Sequence, residues 1–340
     1  MAVHAGVPFL PGGFIGVDIF FVLSGYLITA LLLKEFDQHH AIHFKNFYMR
    51  RMLRLLPALI VMLITLNVLS VFLFNAAERQ SNLIDSFFAL FYFSNWAFVL
   101  GLRPLFMLSH AWSLSIEEQF YLLWPIVLLL LLRWQPSREK VFGVVLGLAT
   151  ASWLWRVILT VTTLSYPRVF YSLDTRLDGL LMGCALAVLM TLKPEQLIKR
   201  AGRLPFIPVI ALLLIALVAL TADGNSTSTA FWSIAAVGVL TCVVVFYFVT
   251  NQNGLLQHFF EWRPLVFLGR ISYGVYLWHY IIFKFMIDYL HLSWLTTFLL
   301  GGLLALAISL LSYYIIEQPI LSLKSRFAVP APRVLAEPVH

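Results

Sequence analysis

The chain has 340 residues, of which 61% are hydrophobic and 11% charged, and its mean hydropathy is +0.89. Soluble domains carry about a quarter charged residues, so this composition excludes an ordinary soluble domain and predicts a protein whose solvent is lipid. The net charge of +7 comes from short loops between apolar runs, which argues against nucleic-acid binding and favours a role in membrane topology. Cys184 and Cys242 both lie in apolar runs, so neither a disulfide framework nor a metal-ligand cluster is expected.

Apolar segments recur along the whole chain, and most are long enough to cross a hydrocarbon core as helices. We therefore predict an all-α fold, a polytopic transmembrane helical bundle with about nine or ten membrane segments. The segments are 14–33, 55–74, 84–102, 119–132, 141–164, 175–191, 204–220, 230–249, 265–287 and 294–316. Residues 1–321 are expected to form one membrane domain and residues 322–340 a cytoplasmic tail.

Basic residues concentrate in loops 34–54, 133–140 and 192–203 and in the tail. Lys and Arg mark the cytoplasmic side of a membrane protein. All four regions reach that side if segment 84–102 enters the membrane without crossing it. We therefore predict nine full crossings and one partial segment, with His4 and loop 103–118 toward the outer face.

A basic run from Phe47 to Arg54 leads into the second span and contains Arg50, Arg51 and Arg54. Arg51 and Arg54 are one helical turn apart and share a face. Their guanidinium groups are suited to phosphate oxygens, such as those of a nucleotide-bearing donor like coenzyme A. The alternative interpretation is a topology anchor that binds lipid headgroups.

The stretch from His110 to Pro125 places two adjacent carboxylates, Glu117 and Glu118, at the mouth of an apolar segment. Ser113 or Ser115 is predicted to cap this helix, with the carboxylates in its first turn. Carboxylates are favourable there without any catalytic role. A carboxylate at the edge of hydrocarbon is equally a hypothesis for a functional site.

A histidine near the start of the chain, His4, precedes a glycine- and proline-rich stretch and then Asp18, near the start of the first span. Imidazole titrates near neutral pH, so His4 beside an acid is a candidate general base. A single histidine at a chain start is also commonly incidental.

Two further polar sets lie in later spans. Arg176 and Asp178 bring opposite charges to the start of one span, where a mutual ion pair is the simplest interpretation. Tyr273 and His279 belong to a polar row along another helix, which interface anchoring explains only in part. The sequence contains no Gly-x-Ser-x-Gly elbow, phosphate-binding glycine loop or metal motif, so the expected chemistry is proton transfer and positioning.

Several of these stretches together resemble the acyltransferase 3 family, bacterial membrane O-acetylases that modify lipopolysaccharide, peptidoglycan or exopolysaccharide. They occur in the family's order and are His4 to Gly6, Gly12 to Thr29, Phe47 to Pro57, Trp112 to Pro125, Arg176 to Gly179 and Gly269 to His279. The resemblance implies transfer of acetyl from cytoplasmic acetyl-CoA to a hydroxyl of a cell-envelope glycan. It also implies a multi-pass protein of the bacterial inner membrane, and the lack of a metal motif leads us to expect no metal cofactor.

The resemblance also carries site residues onto this chain. His4 matches the family's functional histidine, Arg51 and Arg54 match its Arg-x-x-Arg pair, and Glu117 matches the glutamate after its Trp-Ser-Leu. Only three residues precede His4, so a basic residue and most of the family's first helix are expected to be missing from this sequence. With that helix the predicted crossings would reach the family's ten. No extracytoplasmic second domain is expected after the last span.

These features lead to a mechanistic hypothesis. Arg51 and Arg54, with Arg50 beside them, hold the phosphates of acetyl-CoA, and a pantetheine arm reaches His4 through the membrane. His4 activates the acceptor hydroxyl or briefly carries the acetyl group, and Glu117 or Asp18 orients its imidazole. His110, Ser113, Arg176, Asp178, Tyr273 and His279 are expected to contact substrate or to support the site. Alternatives are a transporter or flippase of polar envelope precursors, and a membrane scaffold.

Overall fold

The computed structural model describes residues 1–102, 105–135, 137–163, 165–192, 195, 198, 199, 206–224, 226–251 and 254–327. The helices, in chain order, are α1 Gly16–His39, α2 Phe44–Leu73, α3 Ala76–Leu90, α4 Ser94–Val99, α5 Ala111–Trp134, α6 Arg138–Thr162, α7 Tyr166–Tyr171, α8 Leu173–Thr191, α9 Ile207–Thr221, α10 Thr229–Thr250, α11 Leu255–Phe260, α12 Arg263–Asp288 and α13 Trp294–Ser322. These ranges contain no strand, and the predicted all-α polytopic bundle is confirmed.

Seven helices of the described part of the chain, α1, α2, α5, α6, α10, α12 and α13, are long and apolar enough to cross a membrane. Helix α9 is apolar but has only 15 residues. Helix α8 has 19 residues, and most of its side chains are buried inside the bundle. Burial by neighbouring helices lets α8 carry charged residues that lipid contact would disfavour.

The predicted partial segment 84–102 falls on α3 and α4, which are joined by a turn at Phe91–Phe93. Helix α3 has 15 residues and rises about 22 Å at 1.5 Å per residue, which is short of a hydrocarbon core of about 30 Å. Its amphipathic face buries Asn82 and Asp85. This geometry agrees with a segment that does not cross the membrane.

Two glycines bring α1 and α8 into backbone contact. A Cβ atom on Gly25 would lie 1.9 Å from the Leu180 carbonyl oxygen, and one on Gly183 would lie 2.0 Å from that of Val22. Only glycine permits this distance, and small residues favour helix association in lipid because they let backbones pack closely. This helix pair positions Ser24 and Asp18 against the rest of the bundle.

The N-terminal turn is held against α12. Residues Val3–Ala5 form a single turn of 3₁₀-helix, and Gly6 ends it with a φ of 75°, which glycine adopts without strain. Ala5 and Val7 pack on the buried ring of Phe283. These apolar contacts fix the position of His4 relative to α12.

Three of the predicted basic regions meet at one end of the bundle. Arg50 donates from Nη1 to the carbonyl oxygen of Phe327 at 2.7 Å, and Arg138 forms an ion pair with Asp37. Loops 34–54 and 133–140 therefore lie beside the start of the predicted tail. Most of loop 192–203 and tail residues 328–340 lie outside the described residues.

Candidate functional site

Three histidines from three separate elements meet and form what we name the imidazole cluster: His4, His110 and His279. His4 Nδ1 lies 2.9 Å from His279 Nε2, and the two rings stack with centroids 5.1 Å apart. The His110 ring lies 5.8 Å from that of His279. The Val3–Ala5 turn, the N-terminus of α5 and the middle of α12 thus contribute one histidine each.

Aromatic and hydroxyl groups complete this cluster. Tyr280 meets the edge of His4 at 4.8 Å and stacks on His110 at 4.8 Å. The Tyr276 hydroxyl donates to the backbone oxygen of His110 at 2.5 Å and lies 2.6 Å from Ser113 Oγ. These bonds tie the first turns of α5 to α12.

The surroundings of the cluster keep His4 and His110 uncharged. Burial, and then the nearby His279, lower the pKa of His4 to about 3. Burial, and then His279 and His4, hold the pKa of His110 well below its ordinary value. His4 is still partly exposed, whereas His110 is 3% exposed. A neutral imidazole is the form that accepts a proton, so His4 has the protonation state of a general base.

A second cluster joins α2 to α5. Arg51 contacts Glu118 through Nε at 2.9 Å and Nη2 at 2.6 Å, and its Nη2 lies 3.6 Å from Glu117. The guanidinium carbon lies 3.1 Å from the ring centre of Tyr121. Arg51 Nη1 makes no hydrogen bond to a described residue. The predicted phosphate ligand is therefore largely engaged by the protein's own carboxylates.

Glu117 lies between α1 and α5 rather than in a first turn. Its Oε1 accepts a hydrogen bond from Ser24 and another from the Tyr121 hydroxyl at 2.5 Å. Helix α5 begins at Ala111, with His110 at the cap position and no side-chain capping bond, so the predicted serine cap is wrong. Ser115 instead bonds back to the carbonyl of Ala111 at 3.0 Å.

The other two arginines of the basic run differ in exposure, because Arg54 is exposed and Arg50 is half-buried. Arg54 is exposed and forms no ion pair with a described residue. Arg50 lies 3.6 Å from Glu35, which also accepts from the backbone amide of His43 at 2.6 Å. Arg54 thus leaves its donor groups at the surface, whereas Arg50 contacts Glu35 and the carbonyl oxygen of Phe327.

The expected carboxylate support for His4 is replaced by His279. Glu117 contacts Ser24, Tyr121 and Arg51, whereas Asp18 accepts from Arg176 Nη2 at 2.6 Å. Neither acid hydrogen-bonds His4 in the described part of the chain. The expectation for Asp18 came from its closeness to His4 in the sequence, and that for Glu117 from the family resemblance. Asp18 pairs with Arg176 on α8 instead.

The predicted mutual pair of Arg176 and Asp178 is also wrong. Asp178 pairs instead with Arg156 through two bonds of 2.7 Å, and both side chains are almost fully buried. Positions 176 and 178 of one helix point to different sides, so each finds a partner on another helix. Arg156 was missed, although an arginine within an apolar span is itself a signal of a buried partner.

Arg176 has unsatisfied hydrogen-bonding capacity. Its Nε and Nη1 atoms, and the Oδ2 atom of Asp18, are buried without a hydrogen-bond partner among the described residues. The rings of Phe170 and Trp112 lie 4.8 and 5.6 Å from its guanidinium carbon. The Asp18–Arg176 pair lies in an aromatic setting at the start of α8.

A row of polar side chains, which we name the polar seam, runs from the imidazole cluster to the second cluster, formed by Arg51, Glu117, Glu118 and Tyr121. On α5 it comprises His110, Ser113, Glu117 and Tyr121, and on α12 it comprises Tyr273, Tyr276 and His279. Spacings of three and four residues keep each set on one helix face. The Ser113 and Tyr276 hydroxyls join the two sets, and Tyr273 donates to the Leu55 carbonyl of α2 at 3.0 Å. At 1.5 Å per residue, His110 and Glu117 are about 10 Å apart along α5.

Comparisons with known proteins agree with this arrangement. A family model described as "Acyltransferase domain" matches residues 2–314. The chain is 36% identical over 290 residues to the peptidoglycan O-acetyltransferase OatA of Listeria monocytogenes, covering 82% of this chain and 46% of that protein. It is 34% identical over 337 residues to YrhL of Bacillus subtilis, which carries a provisional name as a peptidoglycan O-acetyltransferase, covering 93% and 52%.

A Staphylococcus aureus protein provisionally named an O-acetyltransferase is 34% identical over 309 residues, covering 84% of this chain and 48% of its own length. The chain spans about half the length of these curated relatives. No solved structure is significantly similar. Since the family model covers nearly every residue and the matched range includes the imidazole cluster, the chain belongs to the acyltransferase family that this model describes.

Proposed function

We propose that this chain transfers an acetyl group from acetyl-CoA to a hydroxyl of a cell-envelope glycan at the bacterial inner membrane. The observation that carries this proposal is the position of His4, a neutral and partly exposed imidazole at the end of a polar seam that leads to the basic run. The relatives named as peptidoglycan O-acetyltransferases support a peptidoglycan-type acceptor.

The donor is expected to bind at the end that carries the basic run. Arg54 presents exposed donor groups to the phosphates of acetyl-CoA, and the half-buried Arg50 lies beside it. Arg51 adds its Nη1 atom, which hydrogen-bonds no described residue, while Glu118 fixes its orientation. The predominantly negative donor is drawn to a surface where loops 34–54 and 133–140 concentrate positive charge. This assigns all three arginines to the donor site.

The pantetheine arm is expected to follow the polar seam. The Ser113 and Tyr276 hydroxyls line it between the two clusters and suit the amide groups of the arm. The distance of about 10 Å along α5 is within the reach of such an arm. This path joins a cytoplasmic donor to an acceptor at the outer face.

At the imidazole cluster, His4 takes the proton of the acceptor hydroxyl. The hydroxyl oxygen attacks the thioester carbonyl of acetyl-CoA at the same time. The new ester C–O bond forms, the C–S bond breaks, and the proton passes from His4 to the departing thiolate of coenzyme A. No net charge is left in the membrane. The acceptor is expected to enter beside His4, where the cluster is partly exposed.

The test is release of coenzyme A from acetyl-CoA by the purified chain in nanodiscs with a glycan acceptor, together with the acetyl content of that glycan. We expect His4→Ala to abolish both, and His258→Ala, which replaces an exposed histidine that is not part of the seam, to keep both. Transport of an envelope precursor without coenzyme A release would overturn the proposal and favour a transporter. Full acetyl transfer by His4→Ala would remove His4 from the mechanism.

A further inference from the structure

The hydrogen bonds of His279 determine which of its nitrogens carries the proton. Its Nδ1 atom lies 3.0 Å from the carbonyl oxygen of Val275 and 2.8 Å from that of Tyr276. Carbonyl oxygens only accept, so Nδ1 carries a hydrogen and donates. The lone pair of the neutral ring is then on Nε2.

His279 is expected to be a neutral ring. It is 2% exposed, and in the described part of the chain no carboxylate hydrogen-bonds any member of the imidazole cluster. A buried imidazolium without a counter-ion is strongly disfavoured. The Nε2 atom of His279 is therefore a hydrogen-bond acceptor.

The acceptor role of His279 Nε2 determines which nitrogen of His4 carries its proton. Its Nδ1 atom faces His279 Nε2 at 2.9 Å, so Nδ1 of His4 must be the donor. In a neutral imidazole the other nitrogen, Nε2, then has the free lone pair. The backbone of α12 thus sets the tautomer of His4 through one intervening ring.

We infer that His279 is a positioning residue that selects the Nδ1-protonated tautomer of His4 and leaves Nε2 of His4 as the proton acceptor. The tautomer of His4 follows from the hydrogen bonds alone, whereas its effect on the reaction rate rests on the proposed acyl transfer. His279 performs the orienting role that a carboxylate performs in many histidine bases, and it does so without adding a charge within the membrane. The rings of His110 and Tyr280 also face this cluster, and among the described residues neither hydrogen-bonds a ring nitrogen of His4.

The tautomer is measured directly by two-bond ¹H–¹⁵N correlation spectra of the ¹⁵N-histidine-labelled chain. The chain has nine histidines, and loss of one set of signals in His4→Gln identifies His4. We expect the Nδ1–H pattern for His4 in the native chain and a shift toward the Nε2–H pattern in His279→Phe, which keeps an aromatic ring but removes the acceptor. Tyr280→Phe, which keeps its ring against His4, is expected to leave the pattern unchanged.

Activity gives a second measurement. We expect His279→Phe to lower kcat for acetyl transfer by about 100-fold with little change in KM, because only proton transfer is affected. His279→Gln keeps an acceptor oxygen, so we expect its kcat to be about tenfold higher than that of His279→Phe. A merely structural role predicts equal losses in Phe and Gln variants and an unchanged tautomer.

The two proposals fail separately. An Nε2–H pattern for His4 in the native chain, or an unchanged pattern in His279→Phe, would overturn the role of His279 whatever the activity. A correct tautomer with full acetyl transfer by His4→Gln would leave the geometry intact and would overturn the assignment of His4 as the base.

Discussion

Arg51 and Glu118 form a two-pronged ion pair between α2 and α5, with Nε and Nη2 of the arginine at 2.9 and 2.6 Å from one carboxylate oxygen. The pair is mostly shielded from solvent, with the arginine side chain 17% exposed. Arg51 also neutralises Glu117, 3.6 Å away. One guanidinium thus holds two adjacent carboxylates inside the bundle.

We expect Arg51→Gln to destabilise the fold by about 3–5 kcal/mol, because it leaves both carboxylates without a counter-ion. Glu118→Gln should cost less, since Arg51 keeps its contact with Glu117 and its place over the Tyr121 ring. Thermal unfolding in detergent measures both, with Lys45→Gln as a control at an exposed position of α2. Equal melting temperatures for Arg51→Gln and the control would contradict this account.

The buried pair of Arg156 and Asp178 provides a second prediction. We expect Arg156→Met to cost about 3–5 kcal/mol because Asp178 stays buried and charged, whereas the double variant with Asp178→Leu should recover much of that loss. Melting temperatures of the two single variants and the double variant give the coupling energy. Arg176→Met combined with Asp178→Leu should show much weaker coupling, since Arg176 pairs with Asp18. Stronger coupling of Arg176 than of Arg156 to Asp178 would contradict the pairing.

The helices could be predicted from the sequence because hydropathy is a property of continuous segments. Within the described residues, the ten apolar segments fall on helices. The irregular segment 84–102, which contains Asn95 in an aromatic setting, falls on the two short helices α3 and α4. Helix starts were predicted less well. Ser113 and Ser115 have the chemistry of a cap, yet the cap position of α5 is His110, three or five residues earlier, where Tyr276 holds the backbone of His110.

The pairing of polar groups could not be predicted, because it depends on contacts between distant segments. Asp18 and Arg176 are 158 positions apart, and His4 and His279 are 275 apart. Spacing within one segment favoured local partners such as Arg176 with Asp178. The sequence identified Glu117 and His279 as unusual in or beside a membrane segment, and His4 as a candidate base before the first span. It contained no signal that His4 would meet His279 rather than a carboxylate.

The contact between α1 and α8 predicts that Gly183→Ala is disruptive. Its new Cβ would lie 2.0 Å from the Val22 carbonyl oxygen, so the helices would have to separate. We expect a loss of about 1–3 kcal/mol or more and a lower yield of folded protein. Gly147→Ala in α6 is the matched control, because its added methyl group would have no neighbouring atom within 4 Å and helix propensity favours alanine. A melting temperature of Gly183→Ala that equals that of the control would exclude the close contact.

The lowered pKa of His4 predicts how stability depends on pH. In the unfolded chain this imidazole binds a proton below about pH 6.5, whereas the folded protein excludes that proton until about pH 3. The free energy of unfolding should therefore fall as pH drops below about 6.5, by up to about 1.4 kcal/mol per pH unit from this group. Above that pH the contribution is constant, because His4 is neutral in both states.

His4→Gln removes this titration, so its melting temperature should fall less between pH 7 and pH 4.5 than that of the native chain, whatever its stability at pH 7. Met52→Gln changes an exposed side chain that does not titrate, so it serves as the control and should keep the native slope. The remaining acid sensitivity of His4→Gln is expected to come from groups such as His110, whose pKa is also lowered by burial. Identical slopes for the native chain and His4→Gln would show that the pKa of His4 is the same in the folded and unfolded chain, and would contradict the lowering of that pKa by burial and by His279.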